Sequence, residues 1–381
     1  MLAYTFYESD SRVIYYAEEL AKRGDHVDVV ALRKDGQASY EVLSGVNVYR
    51  IQERKTNEKG RISYLYRLLM FLLRSCCFVT KKHVKEPYDL IHVHSVPDFE
   101  VFAAIIPKLM GTKIILDIHD IVPEFYAAKF HTSEHSVLFK CLLIAEKVSI
   151  RFSDHVIVAN HIWEKKLLDR SARAEKCTTI LNYPSKIWSR KFKKNRDDNR
   201  FIMVYPGSLN WHQGLDIAIN ALSLIKDRFP RTQFHIYGEG PAKKLLIKQV
   251  ERLNLKNRIF FHDEIPILDV PEIMADADLG VIPKRNDKFG GEAFSTKSLE
   301  LMSVGTPIIV SRTRIDQYYF DDSIVKFFEP ENVEDLANAM LEMIEHEELR
   351  ERLAKNALKF VEGYSWDANK QVYLELVDSM L

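Results

Sequence analysis

The sequence predicts an α/β protein with two domains, each built around a parallel β-sheet. Apolar strands alternate with amphipathic helices, and this alternation begins twice, once at the start of the chain and again from residue 201. Between the two series, residues 185–200 are rich in Lys, Arg, Asn and Asp, which is typical of an interdomain linker. A chain of 381 residues is long enough for two such domains.

Composition narrows the function classes. Lys+Arg and Asp+Glu both number 54, so no net charge draws the protein to nucleic acid. The cysteines show no spacing typical of a zinc site or a disulfide framework, which favours reduced thiols in the cytosol. No N-terminal signal sequence and no apolar run long enough to span a bilayer are apparent. We therefore expect a cytoplasmic protein without a nucleic-acid partner.

A β–α–β unit opens the first half. Residues 1–6 resemble the end of a strand, residues 13–22 an amphipathic helix that Gly24 ends, and residues 26–32 an apolar strand. This order predicts parallel pairing of the two strands. The opening strand is short, which predicts that residues before Met1 complete it.

The segment 61–85 carries several basic residues and no acidic one. Arg67, Arg74 and Lys81 are seven residues apart, so a helix places them in one stripe beside largely apolar neighbours. One interpretation is a helix packed on the sheet with its basic stripe in solvent. The other is a helix in a membrane interface, held by anionic lipid at the inner face of the plasma membrane.

Two predicted strands of the first half end in histidines. Because parallel strands end at one edge of a sheet, we expect His94 and His119 to share the edge where ligands bind. A metal site formed by His92, His94 and His119 is disfavoured, since no carboxylate or cysteine is spaced to complete it. His92 fits a hydrogen-bonded core residue, whereas His119, followed by Asp120, fits a loop that donates to a substrate hydroxyl.

Loops that contain glycine follow the strands of the second half. They lie at the same edge of one predicted sheet, where backbone N–H groups can bind the phosphates of a nucleotide diphosphate. The glycines expected to line this crevice are Gly207, Gly238, Gly240, Gly290 and Gly291.

The stretch 290–307 organises this half. Ser295 is a favourable N-cap, residues 296–304 can form a short helix, and Gly305 fits the position after its end. The start of such a helix suits a phosphate. Lys297 in the first turn opposes the helix dipole, and a bound anion would remove that conflict.

Two glutamates flank this helix start. Glu292 lies in the preceding loop and Glu300 on the helix itself. The simpler interpretation is that both are solvated surface residues. The surrounding strand, glycine loop, capped helix and lysine favour a binding role, in which Glu300 accepts hydrogen bonds from ribose hydroxyls.

With these residues the chain resembles the family 4 glycosyltransferases. Glu292 and Glu300 match the family's Glu-x7-Glu motif, in which the first Glu lies beside the donor sugar and the second binds the ribose. His119 matches a first-domain histidine that reaches the donor sugar. The loop 207–214 matches a Gly-Arg-Leu…Lys-Gly loop, but Ser208 and Gln213 stand where the family has Arg and Lys.

This departure removes the usual cations from the diphosphate. Lys297, or a basic residue of the preceding loop (Lys284, Arg285, Lys288), can replace them, and we favour Lys297 because its helix places it beside the phosphate-binding amides. We assign Glu292, His119 and Lys297 to catalysis and His94 and Asp120 to the acceptor side. Donor-binding positions are Gly207, Ser208, Gln213, Gly238, Glu239, Ile265, Lys284, Arg285, Phe294, Ser295 and Glu300.

The resemblance implies the GT-B fold, two Rossmann-like parallel β/α/β domains facing a central cleft. Residues 1–184 are the expected acceptor domain, residues 185–200 the linker and residues 201–360 the nucleotide-sugar domain. Residues 361–381 form a helix that is a candidate to cross back to the first domain.

The implied function is retaining transfer of a sugar from a nucleoside-diphosphate sugar to a glycan or lipid-linked acceptor. No obligatory metal or other cofactor is implied, and surface or exopolysaccharide biosynthesis is the expected setting. Two alternatives remain open at this point: a nucleotide-sugar epimerase or hydrolase of the same fold, and a non-catalytic subunit that binds a nucleotide sugar.

Overall fold

A computed structural model describes residues 1–54, 61–130, 133–184, 187–188, 196, 198–266 and 268–381. The chain divides into two compact units, Met1–Asn182 with Asn369–Leu381, and Tyr183–Ala368. Most of the predicted linker, 185–200, lies outside the described residues. Each unit contains its own sheet with buried apolar strands.

Unit 1 is organised around one sheet. Its central strands are nearly continuous apolar runs, because helices cover both faces of a parallel sheet. The described strands are β1 (Leu2–Ala3), β2 (Asp28–Arg33), β3 (Tyr40–Leu43), β4 (Val46–Glu53), β5 (Leu90–His94), β6 (Lys113–Ile118), β7 (His155–Val158) and β8 (Cys177–Thr179). The helices before β8 are α1 (Ser11–Arg23), α2 (Arg61–Lys85), α3 (Ile105–Leu109), α4 (Val122–Phe130), α5 (Val137–Phe152) and α6 (His161–Arg170).

Among the described residues, the strand order of this sheet is β3-β4-β2-β1-β5-β6-β7-β8. All neighbouring pairs are parallel except β3 with β4, which form an antiparallel hairpin at the edge. The hairpin turns at Ser44 and Gly45, both at positive φ. The sequence analysis did not predict this hairpin, although β4 alternates buried and partly exposed residues as a half-buried strand does.

The connection after β5 is not one regular helix. It begins as a 3-10 helix, Asp98–Ala104, and continues as α3. Pro107 lies inside this segment and lacks the amide hydrogen that a continuous α-helical ladder needs.

Helix α2 packs on the sheet through Leu68, Phe71, Ser75 and Val79, all of which are buried. Its residues Ser63–Lys85 are long and apolar enough to cross a membrane by length and composition alone. This corrects the expectation that no apolar run reaches that length. One face of α2 therefore packs on the sheet of unit 1, and the opposite face of the helix remains exposed.

Unit 2 repeats the architecture with a smaller sheet. Its described strands are β9 (Phe201–Pro206), β10 (Thr232–Tyr237), β11 (Ile259–His262), β12 (Leu279–Ile282), β13 (Ile308–Ser311) and β14 (Lys326–Phe328), in the order β11-β10-β9-β12-β13-β14 and all parallel. Its helices are α7 (Leu215–Ile225), α8 (Lys243–Arg252), α9 (Val270–Asp276), α10 (Thr296–Ser303), α11 (Arg314–Tyr319), α12 (Val333–Glu345) and α13 (Glu347–Glu362). Parallel order places the loops after these strands at one edge of the sheet.

The chain ends in α14 (Trp366–Met380). From Asn369 onward its residues belong to unit 1. Tyr373 is fully buried there, stacks on Tyr16 of α1 with ring centroids 4.1 Å apart, and hydrogen-bonds through its hydroxyl to His92 Nδ1 at 3.1 Å. Lys370 pairs with Glu19 of α1 at 2.7 Å. The last helix therefore completes the core of unit 1.

A buried ion pair holds α1 to the sheet of unit 1. Arg12 donates from Nε and Nη2 to the two carboxylate oxygens of Asp117 in β6, at 2.7 and 2.8 Å. Its Nη1 donates to the carbonyl of Ile180 at 2.7 Å and to Oδ1 of Asn182 at 2.9 Å. Both members of the pair are almost inaccessible to solvent, with 4% and 0% of their side-chain surface exposed.

Replacing Arg12 tests how much unit 1 depends on this pair. Arg12→Met leaves the Asp117 charge buried without its partner, so we expect a loss of about 3–5 kcal/mol in the free energy of unfolding at pH 7. Arg23→Met is the control, because Arg23 pairs with Asp25 and Asp378 near the surface and its loss should cost about 1 kcal/mol or less. Urea unfolding followed by circular dichroism measures both, and equal losses would contradict the assignment.

Candidate active site

The glycine loops of unit 2 meet after β9 and β10. Gly207 and Gly238 have φ of +138° and +127°, and a Cβ at Gly238 would lie 2.2 Å from the carbonyl oxygen of Gly207. Gly207 N donates to Tyr237 O at 2.9 Å, and Leu209 N donates to Glu239 O at 2.9 Å. Only glycine allows this contact, so the two loops run side by side as one backbone surface.

The predicted helix after Gly290 and Gly291 forms α10, and Gly305 follows its end at φ +82°. Ser295 occupies the N-cap position, but its side chain makes no capping hydrogen bond, which corrects the expectation for its hydroxyl. Within the described residues, the hydroxyls of Ser295 and Ser298 are buried and have no hydrogen-bond partner. The start of α10 therefore carries two unused hydroxyl groups beside its positive dipole end.

Lys297 lies directly against the loop after β9. A Cβ at Gly207 would lie 2.6 Å from Lys297 Cε and 3.1 Å from its Nζ. The ammonium also lies 5.6 Å from the ring centroid of Tyr205. Burial first, and the nearby charge of Lys284 second, lower the pKa of Lys297, while Glu300 opposes the shift. The lysine is thus held over the glycine surface in a site that disfavours an uncompensated positive charge.

Glu300 is half-buried on α10, one turn after Lys297. Burial raises its pKa to about 7, although the charge of Lys297 works in the opposite direction. Glu292 precedes the helix and accepts a hydrogen bond from Nη1 of Arg314 at 3.1 Å. Arg314 begins α11, and the sequence analysis did not single it out.

The other basic residues of this region are engaged inside unit 2. Nζ of Lys284 lies 2.9 Å from Oδ2 of Asp316 and donates to the carbonyl of Ala293 at 2.8 Å. Arg285 pairs with Asp216 at 2.6 Å and lies over the ring of Trp211. This corrects the expectation that Lys284 or Arg285 offers a free charge to a phosphate. Of these three residues, Lys297 is the one that lies against the glycine surface. Lys288 is exposed.

The remaining predicted donor positions are distributed around these loops. Ser208 is exposed and its carbonyl accepts from the Tyr205 hydroxyl, while Gln213 is buried with an amide oxygen that has no partner among the described residues. Glu239 is exposed and pairs with Lys243, and Ile265 is half-buried after β11. Phe294 packs on Tyr319 and Phe320. Gly240, Gly290 and Gly291 each approach neighbouring backbone so closely that a Cβ would clash.

In unit 1, His94 and His119 meet at the carboxyl edge of the sheet, where Nδ1 of His94 lies 3.1 Å from Nε2 of His119. Both nitrogens lie 3.3 Å from Oδ2 of Asp117. Burial lowers the pKa of His94 to about 4. Burial also lowers the pKa of His119, but the adjacent Asp117 outweighs it and raises the net pKa. Asp117 therefore orients His119 and favours its protonated form.

The sequence analysis missed Asp117 and Arg12, although a signal was present. Asp117 is the polar residue inside the apolar strand β6, two positions before His119, so both side chains leave the strand on the same side. An acid inside a buried strand needs a partner from elsewhere in the fold. Nothing in the linear pattern indicates that α1 supplies this partner.

Three buried groups of unit 1 have the composition of a metal site. The donor atoms of His92, His94 and Asp117 all lie within 4.8 Å of one another. A cation there would have to displace the Arg12 guanidinium, which already binds both oxygens of Asp117. The negative charge of Asp117 is therefore already compensated by Arg12.

A cavity of about 250 Å³ opens beside His119 at the carboxyl edge of unit 1. Asp10, Arg54, Tyr64 and Asp120 line it. Burial raises the pKa of Asp120 to about 6, and the charge of His119 opposes the shift. A larger cavity of about 300 Å³ lies at the amino ends of β2 and β5, away from the edge where parallel sheets bind ligands.

Two parallel-sheet α/β units, one of them with glycine loops and a helix start beside a lysine, have the architecture of the GT-B class. Two family models match the chain, "Glycosyl transferase 4-like domain" over residues 11–182 and "Glycosyl transferases group 1" over residues 186–360. The chain belongs to the glycosyltransferases of the family 4 type, and the predicted family, fold class and enzyme class are confirmed.

Similar proteins agree with this assignment. An uncharacterized glycosyltransferase of Methanocaldococcus jannaschii is 24% identical over 366 residues, which cover 92% of this chain and 89% of the relative. Sucrose-phosphate synthase from Thermosynechococcus elongatus superimposes with a TM-score of 0.80 at 19% identity, with 99% of each chain covered. Anabaena HepE, solved with UDP-glucose, gives a TM-score of 0.75 at 19% identity, covering 99% of this chain and 98% of HepE.

The raised pKa of Glu300 predicts a pH-dependent stability of unit 2. From pH 4.5, the ordinary pKa of a glutamate, to about pH 7, the folded protein keeps a proton on Glu300 that the unfolded chain has released. The free energy of unfolding therefore falls as the pH rises through this window. Glu300→Gln removes this titrating carboxyl group. Between pH 5 and pH 8, the free energy of unfolding of the wild type should fall by on the order of 1–3 kcal/mol relative to that of the variant. Urea unfolding at several pH values measures this, and parallel profiles for the two proteins would refute it.

Proposed function

We propose that the protein is a retaining glycosyltransferase that binds a nucleoside-diphosphate sugar on unit 2 and an acceptor hydroxyl on unit 1. The observation that carries the donor assignment is the placement of Lys297 and the start of α10 against the Gly207 loop. A diphosphate on this surface would receive the ammonium, the hydroxyls of Ser295 and Ser298, and the positive end of the helix dipole. The hydroxyls of Ser295 and Ser298 have no hydrogen-bond partner among the described residues, and Glu300 offsets the burial of the Lys297 charge only in part.

The same arrangement accounts for the departure at Ser208 and Gln213. The family resemblance places an arginine and a lysine at those positions, next to the diphosphate. Here Lys297 approaches Gly207 from α10 and can supply positive charge at the same loop. Glu300, one turn further along the helix, is assigned to the ribose hydroxyls and Glu292 to the donor sugar.

The proposed chemistry needs stabilisation of a leaving group. The bond between the anomeric carbon and the diphosphate oxygen breaks, and a new bond forms between that carbon and the acceptor oxygen on the same face. The acceptor proton passes to an oxygen of the departing diphosphate. Lys297 and the α10 amides stabilise the negative charge that develops on that diphosphate, so no metal is assigned to this role.

The acceptor is assigned to the 250 Å³ cavity of unit 1. Asp10 and Asp120 offer carboxylate oxygens to sugar hydroxyls, and His119 offers a ring N–H to the transferred sugar, as the resemblance implies. The contact between Asp117 and the His119 ring keeps that ring oriented. The acceptor is a glycan or a lipid-linked sugar, and biosynthesis of a surface or extracellular polysaccharide is the proposed setting.

We also propose that α2 contacts an anionic membrane, with the protein located at the inner face of the plasma membrane. Arg74 and Lys81 of the predicted stripe are exposed, and Arg67 is half-buried. The apolar residues beside the stripe include Tyr66 and Leu73, which are 63% and 59% exposed although they lie on a helix of a folded domain. An interface with lipid would cover both features.

A donor panel tests the reaction. Because several of the similar structures contain UDP or UDP-glucose, UDP-glucose is the first donor to offer, followed by other nucleotide sugars with polysaccharide and lipid-linked acceptors. We expect acceptor-dependent release of the nucleoside diphosphate, and a decrease in kcat of about 100-fold or more for Glu292→Ala. Glu329→Ala, an exposed acid of unit 2, is the control.

The outcomes separate the alternatives. Donor turnover that does not need an acceptor would indicate a hydrolase or epimerase. Donor binding without turnover would indicate a non-catalytic subunit. Analysis of the product by NMR distinguishes retention from inversion, and an inverted anomer would overturn the proposed mechanism.

Lys297→Ala tests the proposed cation separately. Loss of a charged hydrogen-bond donor to phosphate should weaken UDP binding about 10- to 100-fold, and Lys297→Arg should recover part of the affinity. Lys288→Ala, in the loop that precedes the helix, should change the affinity less than about threefold. Isothermal titration calorimetry measures all three variants, and unchanged affinity in Lys297→Ala would remove Lys297 from the donor site.

A further inference from the structure

Half of the large apolar side chains that are exposed in the described residues lie on three helices of unit 1, and one more lies directly after the second of these helices. The rest are scattered over both units. A monomeric domain rarely exposes such a group together unless the surface binds something. The residues are Leu65, Tyr66, Leu69, Leu73 and Val84 on α2, Ile105, Ile106, Leu109 and the adjacent Met110 at α3, and Val137, Leu138, Ile144 and Val148 on α5.

The topology places these helices side by side. The connections β4 to β5, β5 to β6 and β6 to β7 all cross the sheet in the same direction, so right-handed crossovers put α2, α3 and α5 on one face. Helix α2 packs against α3 and the preceding 3-10 helix, and α5 packs against that same 3-10 helix. The outer surfaces of the three helices therefore form one continuous layer, which we call the docking face.

Helix α5 repeats the pattern of α2. Its exposed apolar ridge runs through Val137, Ile144 and Val148, and Lys140 and Lys147 lie seven residues apart along one side of the ridge. On α2, Arg74 and Lys81 lie beside Tyr66 and Leu73 with the same spacing. The sequence analysis identified the stripe on α2 but not the one on α5.

The charge on the docking face has one sign. Helices α2 and α3 contain no acidic residue. The acid of α5, Glu146, is 1% exposed and points inward to Arg170. Lys140, Lys147 and Arg151 are exposed and make no ion pair with the residues that the structure describes. A broad apolar layer with only positive charge fits the headgroup region of an anionic bilayer, and it does not fit a second copy of itself, because two such faces would repel each other.

We propose that α2, α3 and α5 together dock unit 1 onto an anionic membrane surface, with α5 as a second basic contact. This inference rests on the proposed membrane contact of α2 and extends it across the helical layer. Tyr64, in the first turn of α2, lines the acceptor cavity next to the exposed Leu65 and Tyr66. The docking face therefore begins beside that cavity, which favours a lipid-linked acceptor over a soluble one.

Vesicle co-sedimentation of the full chain tests the proposal. Vesicles of phosphatidylcholine with phosphatidylglycerol should bind the protein, and pure phosphatidylcholine should bind it at least tenfold more weakly. Lys140→Glu with Lys147→Glu should reduce binding to the anionic vesicles about tenfold or more, as should Arg74→Glu with Lys81→Glu. Ile144→Gln with Val148→Gln should weaken binding to both kinds of vesicle, because the ridge contacts the acyl boundary.

Helix α8 of unit 2 provides a matched control. It exposes Lys244, Leu245 and Lys248 in a similar arrangement, but it stands alone rather than in a layer of such helices. Lys244→Glu with Lys248→Glu changes the net charge by the same amount and should leave vesicle binding within about twofold of the wild type. Thermal unfolding and UDP affinity, measured on every variant, report whether the fold and the donor site are intact.

The outcomes are separable. If the α2 pair lowers vesicle binding and the α5 pair does not, the footprint is confined to α2 and this inference is overturned while the proposed membrane contact stands. If neither pair has an effect, the proposed membrane contact of α2 and its extension to α5 are both wrong. The proposed glycosyl transfer, which is measured with soluble acceptors, does not depend on this result. If the Ile144 and Val148 changes instead abolish a dimer in sedimentation velocity, the face joins two copies of the chain and lipid docking is wrong.

Discussion

Unit 2 depends on a backbone contact that only glycine permits. Gly238 packs on the carbonyl of Gly207, so the backbones of the loops after β9 and β10 lie in direct contact at the carboxyl edge of the sheet. The space above Gly207 is then filled by the side chain of Lys297 from α10. A glycine surface, a helix start and one lysine thus converge because parallel strands end at one edge. The resemblance implies cations within the loop itself, whereas in this chain a lysine of the neighbouring helix lies against the loop.

Unit 1 relies on a different constraint, the burial of a charge. Asp117 lies inside the sheet, so its carboxylate must be compensated within the protein. Arg12 provides the compensation from α1, and the remaining field of Asp117 acts on His94 and His119. The pKa values of these two histidines shift in opposite directions, because burial dominates at His94, whereas the charge and hydrogen bond of Asp117 prevail over burial at His119. One ion pair therefore stabilises the fold and orients a site residue.

The outer surface of unit 1 has an unusual distribution of apolar and charged residues. Helices that cover a parallel sheet need only one apolar face, yet α2, α3 and α5 carry apolar residues on their outer faces as well. Helices α2 and α3 contain no acidic residue, and the acid of α5 points inward. The layer therefore combines exposed apolar side chains with charge of only one sign. The lipid-linked acceptor proposed above would need such a surface near the cavity, and Tyr64 lines this cavity next to the exposed Leu65 and Tyr66.

The sequence alone determined the two-domain α/β architecture, the helix start at residues 295–297 and the pairing of His94 with His119. These features depend on local periodicity, capping residues and the rule that parallel strands share an edge, all of which are visible in a linear pattern. Only the tertiary structure decided which cations are available. Lys284 and Arg285 have the same chemistry as Lys297 in the sequence, but Asp316 and Asp216 lie far from them along the chain and pair with them in the fold. The sequence could not show the Arg12–Asp117 pair or the shared face of α2 and α5 for the same reason: both are contacts between segments that the chain keeps apart.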